Sequence, residues 1–453
     1  MNRALFLTVS ATSTILAGQI IATPAFAQRQ LGNESSSVAP PLPAPNNSSP
    51  NASEEQSASQ ASPESGEIIV TANKRSESVN RVPLSITAAS GEKMTQLGVK
   101  SAGDLAKIVP GFTAVTTQSN TPVYYLRGVG FYDTSISARP TVSIYADEAP
   151  LPYSVMAMGS ALDLERVEVL KGPQGTLFGS NSTGGAINFV AAKPTNTFSA
   201  GVDVSFGRFN DLLVSGFVSG PLAEGVKARL AASHEGASDW QRSYTRNATN
   251  GSKNTTSGRL IIDVEPTDRL TLKFAAAGTI NKSDSQTGQL VGKVPPFLPE
   301  FAAYPLAPAN ARATDFGPQM PLGHTLAHDD WQFQGSLRAD YEINDDIKLT
   351  SLTSYVKNRQ RFGQDPDATS LVINDLYIDG NLKSFNQEIR LSGTLSERAR
   401  WVLGANYQSD KTHEVINYSL INGIQGHAFD FLGENGGAKL GHGSGGAVLL
   451  RAA

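Results

Sequence analysis

The sequence contains no cysteine in its 453 residues, which excludes disulfides, a thiolate nucleophile and cysteine-ligated metal sites. Its 37 basic residues are fewer than its 41 acidic residues. Because there is no basic excess to neutralise a phosphate backbone, nucleic acid is not an expected partner. Beyond the N-terminus no stretch approaches about 18 consecutive apolar residues, so no membrane-spanning helix is predicted.

The sequence also lacks the usual signatures of catalysis and cofactor binding. The glycine-dense run 172–185 is not followed by Gly-Lys-Ser/Thr, and its flanks are predicted as strands without a helix, so it is not a predicted phosphate-binding loop. His324 and His328 have the spacing of metal ligands on a helix, but they lie in a Pro- and Gly-rich loop without a third ligand. No catalytic triad or carboxylate pair stands out. We therefore predict no enzyme, no cofactor and no metal site.

The N-terminus has the layout of a secretory signal peptide, residues 1–27. Arg3 precedes an apolar stretch from Ala4 to Ile21, and Ala25-Phe26-Ala27 has the small-x-small pattern of a cleavage site. The alternative is an N-terminal membrane anchor, which the Pro24 break and the weak hydrophobicity disfavour. The rest of the chain is therefore expected to leave the cytoplasm.

A polar tail precedes a short segment with strong β-propensity. Residues 28–66 are rich in Ser, Pro, Asn and Gln and contain no aromatic residue, which predicts disorder. The composition changes at Glu67-Ile68-Ile69-Val70-Thr71-Ala72, a run that favours a strand. From these residues alone two interpretations are open: an extended segment that adds to the sheet edge of another protein, or an ordinary first strand of the next domain.

Residues 80–193 mix short strands with helix-like pieces and predict a compact α+β domain. Helical pieces are predicted at Gly91 to Leu97 and Ser101 to Ile108, and strands at 142–145 and 167–170. The glycines between 172 and 185 predict tight turns between strands.

From residue 196 to 432 apolar and polar residues alternate with the period of a β-strand, as in Val202-Asp203-Val204-Ser205-Phe206. We count about nine such strands between 198 and 409. Short turns alternate with long loops, which is the pattern of an outer-membrane β-barrel. A soluble β-sandwich gives the same alternation, but it rarely needs connectors as long as 280–330 or 358–383.

One run is specific enough to indicate a family. Residues 163–180 read DLERVEVLKGPQGTLFGS and are followed by NSTGGAIN, with the signatures YLRGV (125–129) and VSIYAD (142–147) before them. This pattern resembles TonB-dependent outer-membrane receptors, in particular the iron-complex receptors of proteobacteria. The resemblance extends from Glu67 to about His413. Its plug-motif residues here are Arg127, Gly128, Arg166, Glu168, Lys171, Gly172, Pro173, Gly175, Gly179, Gly184 and Gly185.

The resemblance implies an α+β plug domain, residues 80–193, followed by a transmembrane antiparallel β-barrel. Residues 196–432 would be the N-terminal part of the family's 22-stranded barrel. It further implies a monomer in the outer membrane, in contact with lipid, that takes up a scarce small-molecule ligand. A ferric siderophore or other iron complex is the first choice of ligand, and a carbohydrate or other nutrient is the alternative. The segment 67–72 resembles the TonB box and would bind TonB by strand addition.

Polar pairs are expected between plug and barrel, since a dry apolar interface would not open under a modest force. By analogy with the family, Arg127, Arg166 and Lys171 are candidates to pair with barrel carboxylates. Glu388 is a candidate partner because it falls on the charged face of its strand. The alternative is that the three bases are ordinary exposed charges of the plug.

The sequence departs from the family pattern near its C-terminal end. A 22-stranded barrel at this strand spacing needs about twice the residues that follow the plug. Residues 433–453 neither alternate nor end in an aromatic residue, and they resemble the product of a shifted reading frame. Three readings follow: an energised transporter, a passive porin of another class, and a non-functional truncated product.

Overall fold

The computed structural model describes residues 69–71, 74, 77–81, 84–99, 101–117, 122–133, 135–293, 299–317, 324–371, 374–396, 399–420 and 447–452. The predicted signal peptide and tail, Glu67, Ile68, Ala72 and most of 433–453 lie outside the described residues, so what the sequence predicts for them stays a prediction. No helix in the described ranges has both the length and the apolar character needed to cross a membrane.

The first part of the chain consists of short strands and short helices. In order, these are β1 (Ile69–Val70), β2 (Glu77–Ser78), a 3₁₀ turn (Val79–Arg81), β3 (Ile86–Ser90), α1 (Gly91–Gln96), a 3₁₀ helix (Ala102–Lys107), β4 (Phe112–Thr116), β5 (Pro122–Leu126), β6 (Val142–Ala146), β7 (Ala149–Leu151), a 3₁₀ turn (Ser154–Ala157), β8 (Leu164–Lys171), α2 (Gly175–Phe178) and β9 (Gly185–Ala191). Five of the strands form a sheet of order β3-β8-β9-β6-β7, while β4 pairs with β5 and β1 with β2. The predicted helical pieces and strands of this α+β domain are confirmed. The prediction that no helix follows β8 is wrong, because α2 forms one turn there.

Strand β9 is the centre of the α+β domain. All of its residues are buried, and it pairs in parallel with β6 and antiparallel with β8. A strand buried on both faces is largely apolar, as in the run from Gly185 to Ala191, where Asn188 is the polar exception. Helix α1 begins where Ser90 Oγ accepts the backbone N–H of Lys93 at 3.3 Å, a side-chain cap for the first turn.

The second part of the chain is almost entirely strand. Its elements are β10 (Ser199–Phe206), a 3₁₀ turn (Arg208–Asn210), β11 (Leu212–Ala223), β12 (Val226–Ala237), β13 (Gln241–Ser243), β14 (Thr249–Asn250), β15 (Lys253–Thr267), β16 (Leu270–Asn281), α3 (Pro299–Ala303), β17 (Ala313–Thr314), β18 (Asp330–Glu342), β19 (Ile347–Gln364), β20 (Asn374–Ser396), β21 (Ala399–Leu420) and β22 (Ala447–Ala452). Ten of these strands form one sheet in the order β10-β11-β12-β15-β16-β18-β19-β20-β21-β22, and β14-β13-β17 form a small separate sheet. Nine strands of the large sheet begin between residues 198 and 409, which confirms the count predicted from the alternation.

Connections at the two ends of the ten-stranded sheet differ in length. Residues 224–225, 268–269 and 343–346 are tight turns at what we call the short-turn end. Residues 238–252, 282–329 and 365–373 connect strands at the opposite, long-loop end. The predicted alternation of short and long connections is therefore confirmed. The predicted connector 358–383 is wrong, because β19 continues to Gln364 and β20 begins at Asn374.

The two faces of the ten-stranded sheet have opposite chemistry. On β10, Val202, Val204 and Phe206 are 71%, 65% and 72% exposed. On the other face, Arg229 and Gln332 reach the α+β domain, where they bond to Asp163 and to the Met156 carbonyl. Apolar side chains thus face away from the α+β domain and polar ones face it, as in a membrane barrel strand.

Apolar packing also joins the α+β domain to the sheet. Phe362 and Ile378, from β19 and β20, belong to the same buried cluster as Met156 of the α+β domain. On β20, Gly380 lets Ile136 approach closely, since a Cβ at this position would lie 2.0 Å from Ile136 Cδ1. The contact between the two parts is therefore not built from polar pairs alone.

Candidate functional site

Strand β1 lies in the segment that the sequence predicts to add to another protein's sheet. Ile69 pairs with Ser78 and Val70 with Glu77, so β1 and β2 form a two-residue antiparallel pair. Val70 is fully buried in an apolar cluster with Leu170, whereas Ile69 is 43% exposed. In this structure the segment is held by the α+β domain, as the second of the two interpretations expects.

Thr71 attaches this segment to β8. Its backbone N–H donates to Glu168 Oε1 and its Oγ1 donates to Glu168 Oε2, each at 2.9 Å. Glu168 has no exposed surface, and it also accepts from Arg166 Nε at 2.7 Å. Asn188 Nδ2 donates to Thr71 Oγ1 at 3.2 Å. Because a buried carboxylate is stabilised by such donors, Glu168 couples β1 to β8.

Lys74 lies between this segment and the ten-stranded sheet. Its buried side chain places the ammonium over the rings of Tyr145 and Phe178, at 5.4 and 5.2 Å from their centroids. The same Nζ lies 3.3 Å from Glu388 Oε2 on β20 and 4.0 Å from Glu148 Oε2. One cation thus contacts both the α+β domain and the sheet.

Glu148, in the turn between β6 and β7, is the acidic centre of the contact with the sheet. Its Oε1 accepts from Arg338 Nη1 on β18 at 2.7 Å, and Arg390 Nη1 on β20 lies 2.8 Å from its Oε2. Burial alone would raise the pKa of Glu148, but the charges of Arg338, Arg390 and Lys74 outweigh burial and lower that pKa to about 2. Glu148 is therefore an anion at neutral pH.

Two further ion pairs join the α+β domain to the sheet in the way that Glu148 does. Asp163 accepts from Arg229 Nε on β12 at 2.7 Å, and Lys273 Nζ on β16 lies 3.7 Å from Asp147 Oδ1. In these pairs the acid belongs to the α+β domain and the base belongs to the sheet.

The loop 130–139 of the α+β domain is attached to β21 near the long-loop end. Glu414 accepts from the Ile136 N–H at 3.1 Å and from Ser137 Oγ at 2.9 Å. In the same loop, Phe131 is 59% exposed and Tyr132 is 52% exposed. Adjacent exposed aromatic side chains on an anchored loop are a common feature of binding surfaces.

Known proteins resemble this chain in both sequence and fold. Residues 78–186 match the family described as TonB-dependent Receptor Plug Domain. The chain is 29% identical over 207 residues to the ferripyoverdine receptor of Pseudomonas aeruginosa, covering 45% of this chain and 24% of that protein. It is 30% identical over 167 residues to the pesticin receptor of Yersinia pestis, covering 35% of this chain and 24% of that protein. The α+β domain is therefore a plug domain of the TonB-dependent receptor type, and the chain as a whole resembles these receptors.

Solved structures share the fold of plug and sheet. The ferric yersiniabactin uptake receptor of Yersinia pestis superposes with a TM-score of 0.61 at 19% identity, covering 74% of this chain and 49% of that chain. The siderophore receptor PiuA of Acinetobacter baumannii gives 0.61 at 16% identity, covering 83% and 53%. This chain therefore spans about half the length of the solved receptors it matches. The ten-stranded sheet has the fold of their β-barrels, so the β-sandwich alternative is wrong.

Arg166 does not reach a barrel carboxylate. Its guanidinium pairs within the plug, with Glu165 and, at 2.7 Å, with Glu168. The expectation that it pairs with the barrel is wrong, because Arg166 and both acids lie on or beside β8.

The expected pair of Arg127 and Glu388 is also wrong. Arg127 lies at an exposed turn after β5, and its Nη2 donates to Ser85 Oγ of the plug at 2.6 Å. Glu388 instead accepts from Lys74 and from Arg390, at 3.3 and 2.7 Å. Among the described residues neither Arg127 nor Lys171 pairs with a barrel carboxylate, which fits the alternative of plug surface charges. Burial and the charge of Arg127 lower the pKa of Lys171.

The glycines of the plug motif shape the connection from β8 to β9. Gly185 has φ +145°, and a Cβ there would lie 2.2 Å from the Leu170 carbonyl oxygen, so only glycine fits. Gly128, Gly172 and Gly179 also have positive φ. Pro173, Gly175 and Gly184 lie in the same connection.

The two histidines of the long-loop end have different neighbours. His328 Nδ1 lies 2.7 Å from Asp330 Oδ2, and its ring stacks on Phe362. The ring of His324 stacks on Tyr377. Neither histidine belongs to a group of three or more potential metal ligands among the described residues.

Sequence reasoning missed several plug residues that join the plug to the barrel, among them Lys74, Asp147, Glu148 and Asp163. One available signal was the pair Asp147-Glu148 directly after the buried strand β6, because acids in a tight turn between two buried strands require partners. The position of Lys74 gave no such signal, since it lies in a polar stretch of ordinary composition.

Proposed function

We propose that this chain is the plug-bearing part of an outer-membrane receptor that takes up an iron–siderophore complex with energy supplied through TonB. The observation that carries this proposal is the plug itself, held against the polar face of barrel strands with β1 paired on its surface. Relatives named for ferripyoverdine and for ferric yersiniabactin uptake support an iron complex as the ligand.

TonB binding is assigned to the segment 67–72, which includes the described residues Ile69, Val70 and Thr71. Its pairing with β2 comprises only two residue pairs, so few hydrogen bonds must be exchanged when another strand replaces β2. An added strand needs an extended backbone with N–H and C=O groups on one edge, and the two residues of β1 are already extended.

Ligand binding is assigned to the outer face of the plug, at the loop 130–139. Phe131 and Tyr132 offer exposed rings there for stacking on flat or apolar parts of an iron complex. The adjacent anchor of Ile136 and Ser137 on Glu414 connects this loop to the barrel wall. A ligand that stacks on the rings would therefore act on a contact between plug and barrel.

Opening of the plug is expected to break ion pairs that water can replace. Lys74 follows the segment 67–72 in the chain and forms an ion pair with Glu388 of the barrel. A pull on the segment 67–72 would first act on Thr71 and then on Lys74, three residues further along the chain. Charges that become exposed are well solvated by water. Separating such ion pairs therefore costs less free energy than exposing the same area of apolar core to water.

An uptake experiment tests the proposal. The gene is expressed in a Gram-negative host without its own siderophore receptors, and cell-associated radioactive iron is measured for a panel of ferric siderophores, with and without TonB. We expect uptake of at least one iron complex that depends on TonB. Equal uptake without TonB would contradict energised transport, and uptake of labelled oligosaccharides but of no iron complex would contradict the ligand class.

A further inference from the structure

Three aspartates meet at the long-loop end of the sheet, where β19 turns into β20. Asp365 and Asp367 follow β19, and Asp375 is the second residue of β20. The register pairs Gln364 with Leu376, so the hairpin returns Asp375 to the neighbourhood of Asp365. One carboxylate oxygen from each of the three lies within 4.8 Å of the others.

Two of these carboxylates are buried without enough hydrogen-bond donors. Asp375 is 1% exposed, and no donor among the described residues reaches either of its oxygens. Asp365 has no exposed surface; its Oδ2 accepts from the Gly317 N–H at 2.8 Å, while its Oδ1 has no donor among the described residues. The neighbouring sequence stretches 318–323 and 372–373 contain no Lys, Arg or His that could supply a countercharge.

A nearby aspartate shows that the same loops can satisfy a buried carboxylate. Asp315 has no exposed surface either, but it accepts from Ser243 Oγ at 2.9 Å, from the Phe316 N–H at 3.0 Å, and from Thr245 and Tyr304. The shortage of donors at Asp365 and Asp375 is therefore not a general property of buried carboxylates in these loops, and at Asp375 it affects both oxygens. Since an unpaired buried carboxylate is costly, the shortage points to a cation.

We propose that Asp365, Asp367 and Asp375 bind a calcium ion. Calcium takes six to eight oxygen ligands in a flexible geometry, and Asp carboxylates are among its usual ligands, whereas Mg²⁺ demands a strict octahedron. Asp367 is already oriented: its Oδ1 accepts from the Thr369 N–H and its Oδ2 from the Asn374 N–H, at 2.9 and 2.8 Å. The amide oxygen of Gln364 is also buried without a donor among the described residues.

The calcium site would fix two of the long loops relative to each other. Asp365 is bonded to Gly317 of the loop 282–329. Tyr304 of that loop accepts from the Ser370 N–H at 2.8 Å and packs with Ala368. The ion therefore lies at the base of a contact between the loops 282–329 and 365–373, and its removal is expected to loosen both.

Calcium binding to the full chain, purified in detergent and stripped with a chelator, tests the proposal by isothermal titration with calcium chloride. The expected result is one ion per chain with a Kd of about 10⁻⁴ to 10⁻³ M, as in extracellular modules. Asp375→Asn should weaken binding at least about tenfold, because it removes a charged ligand of almost the same shape. The matched control is Asp345→Asn, which removes the same charge from a fully exposed side chain at the short-turn end; it should bind calcium as the wild type does.

The absence of calcium binding by the wild-type chain, or unchanged binding by Asp375→Asn, would overturn the proposal. Equal affinity for Mg²⁺ would overturn the assignment to calcium. If Asp375→Asn does not fold, hydrogen exchange of the wild-type chain tests the proposal instead. Calcium should then slow exchange in the peptides covering 299–317 and 365–371 relative to chelator, and equal exchange in both conditions would overturn the proposal.

Discussion

Thr71 and Glu168 are joined by two hydrogen bonds of 2.9 Å, one from the backbone N–H and one from the side-chain hydroxyl of Thr71. Glu168 lies in β8, in the middle of the sequence run that is most specific to the family. The segment assigned to TonB is therefore bonded directly to the most characteristic strand of the plug. Release of that segment requires Glu168 to exchange Thr71 for water or for another donor.

Thr71→Val should increase the fraction of molecules in which β1 is detached from the plug. The substitution keeps the shape of the side chain but removes the hydroxyl, which leaves Glu168 Oε2 without that donor; such a loss typically costs about 1 to 3 kcal/mol. Because the chain contains no Cys, Val70→Cys supplies a single thiol at a fully buried position. Alkylation of this thiol should be at least about fivefold faster when Thr71→Val is present.

The matched control for this measurement is Thr113→Val, the same change at an exposed position of β4. It should leave the alkylation rate of Val70→Cys unchanged. An equal rate in the Thr71→Val and Thr113→Val backgrounds would contradict a holding role for the Thr71 hydroxyl.

Ile69→Pro should abolish TonB-dependent uptake. Proline has no N–H and fixes φ, so it cannot donate to an added strand. Ile69→Ala is the control, because it shortens the same half-exposed side chain but keeps the N–H. Iron uptake by cells that carry each variant is the measurement, with outer-membrane amounts checked by immunoblot. Unchanged uptake with Ile69→Pro would favour the passive porin reading.

The strand pattern was predictable because its signal is local. Alternation such as that of Val202, Val204 and Phe206 follows directly from the two faces of a strand, one apolar and directed away from the plug and one polar and directed towards it. The nine strands and the positions of the short turns between them could therefore be read from the sequence, whereas the connector predicted at 358–383 was too long because β19 and β20 extend into it. In the plug, local patterns predicted the helical pieces at 91–97 and 101–108 and the strands at 142–145 and 167–170, but not the single turn of α2.

The partners of the charged residues were not predictable, because they depend on which side chains the fold brings together. Arg166 appeared suited to a barrel partner, yet Glu168, two residues along the same strand, lies on the same face and reaches it first. Glu388 was expected to pair with Arg127, but Lys74, separated from it by 314 residues, occupies that position. The Asp365 cluster was missed because its members come together only through the β19–β20 register.

Glu148→Gln should destabilise the contact between plug and barrel. The change removes the anion that faces Arg338, Arg390 and Lys74. These cations keep one other carboxylate each, Asp340 for Arg338 and Glu388 for Arg390 and Lys74, so we expect a loss of about 3 kcal/mol, the lower end for a broken buried ion pair. The thermal unfolding midpoint of the chain in detergent should fall by at least about 5 °C. The control is Glu224→Gln, the same change at an exposed position of the β11–β12 turn. Equal midpoints for the two variants would contradict a stabilising role for Glu148.

The contribution of Glu148 to the stability of the folded chain should decrease as the pH falls. The pKa of this carboxyl falls from an ordinary value of 4.5 to about 2 in the folded chain, so the folded state binds its proton less tightly than the unfolded state. The stabilisation is therefore complete above about pH 4.5 and is lost as the pH falls from there through about 2. The difference in unfolding midpoint between wild type and Glu148→Gln should stay constant from about pH 7 to 5 and shrink below 4.5. A difference that keeps its full size at about pH 3 would show that the charge of Glu148 is not what stabilises the contact.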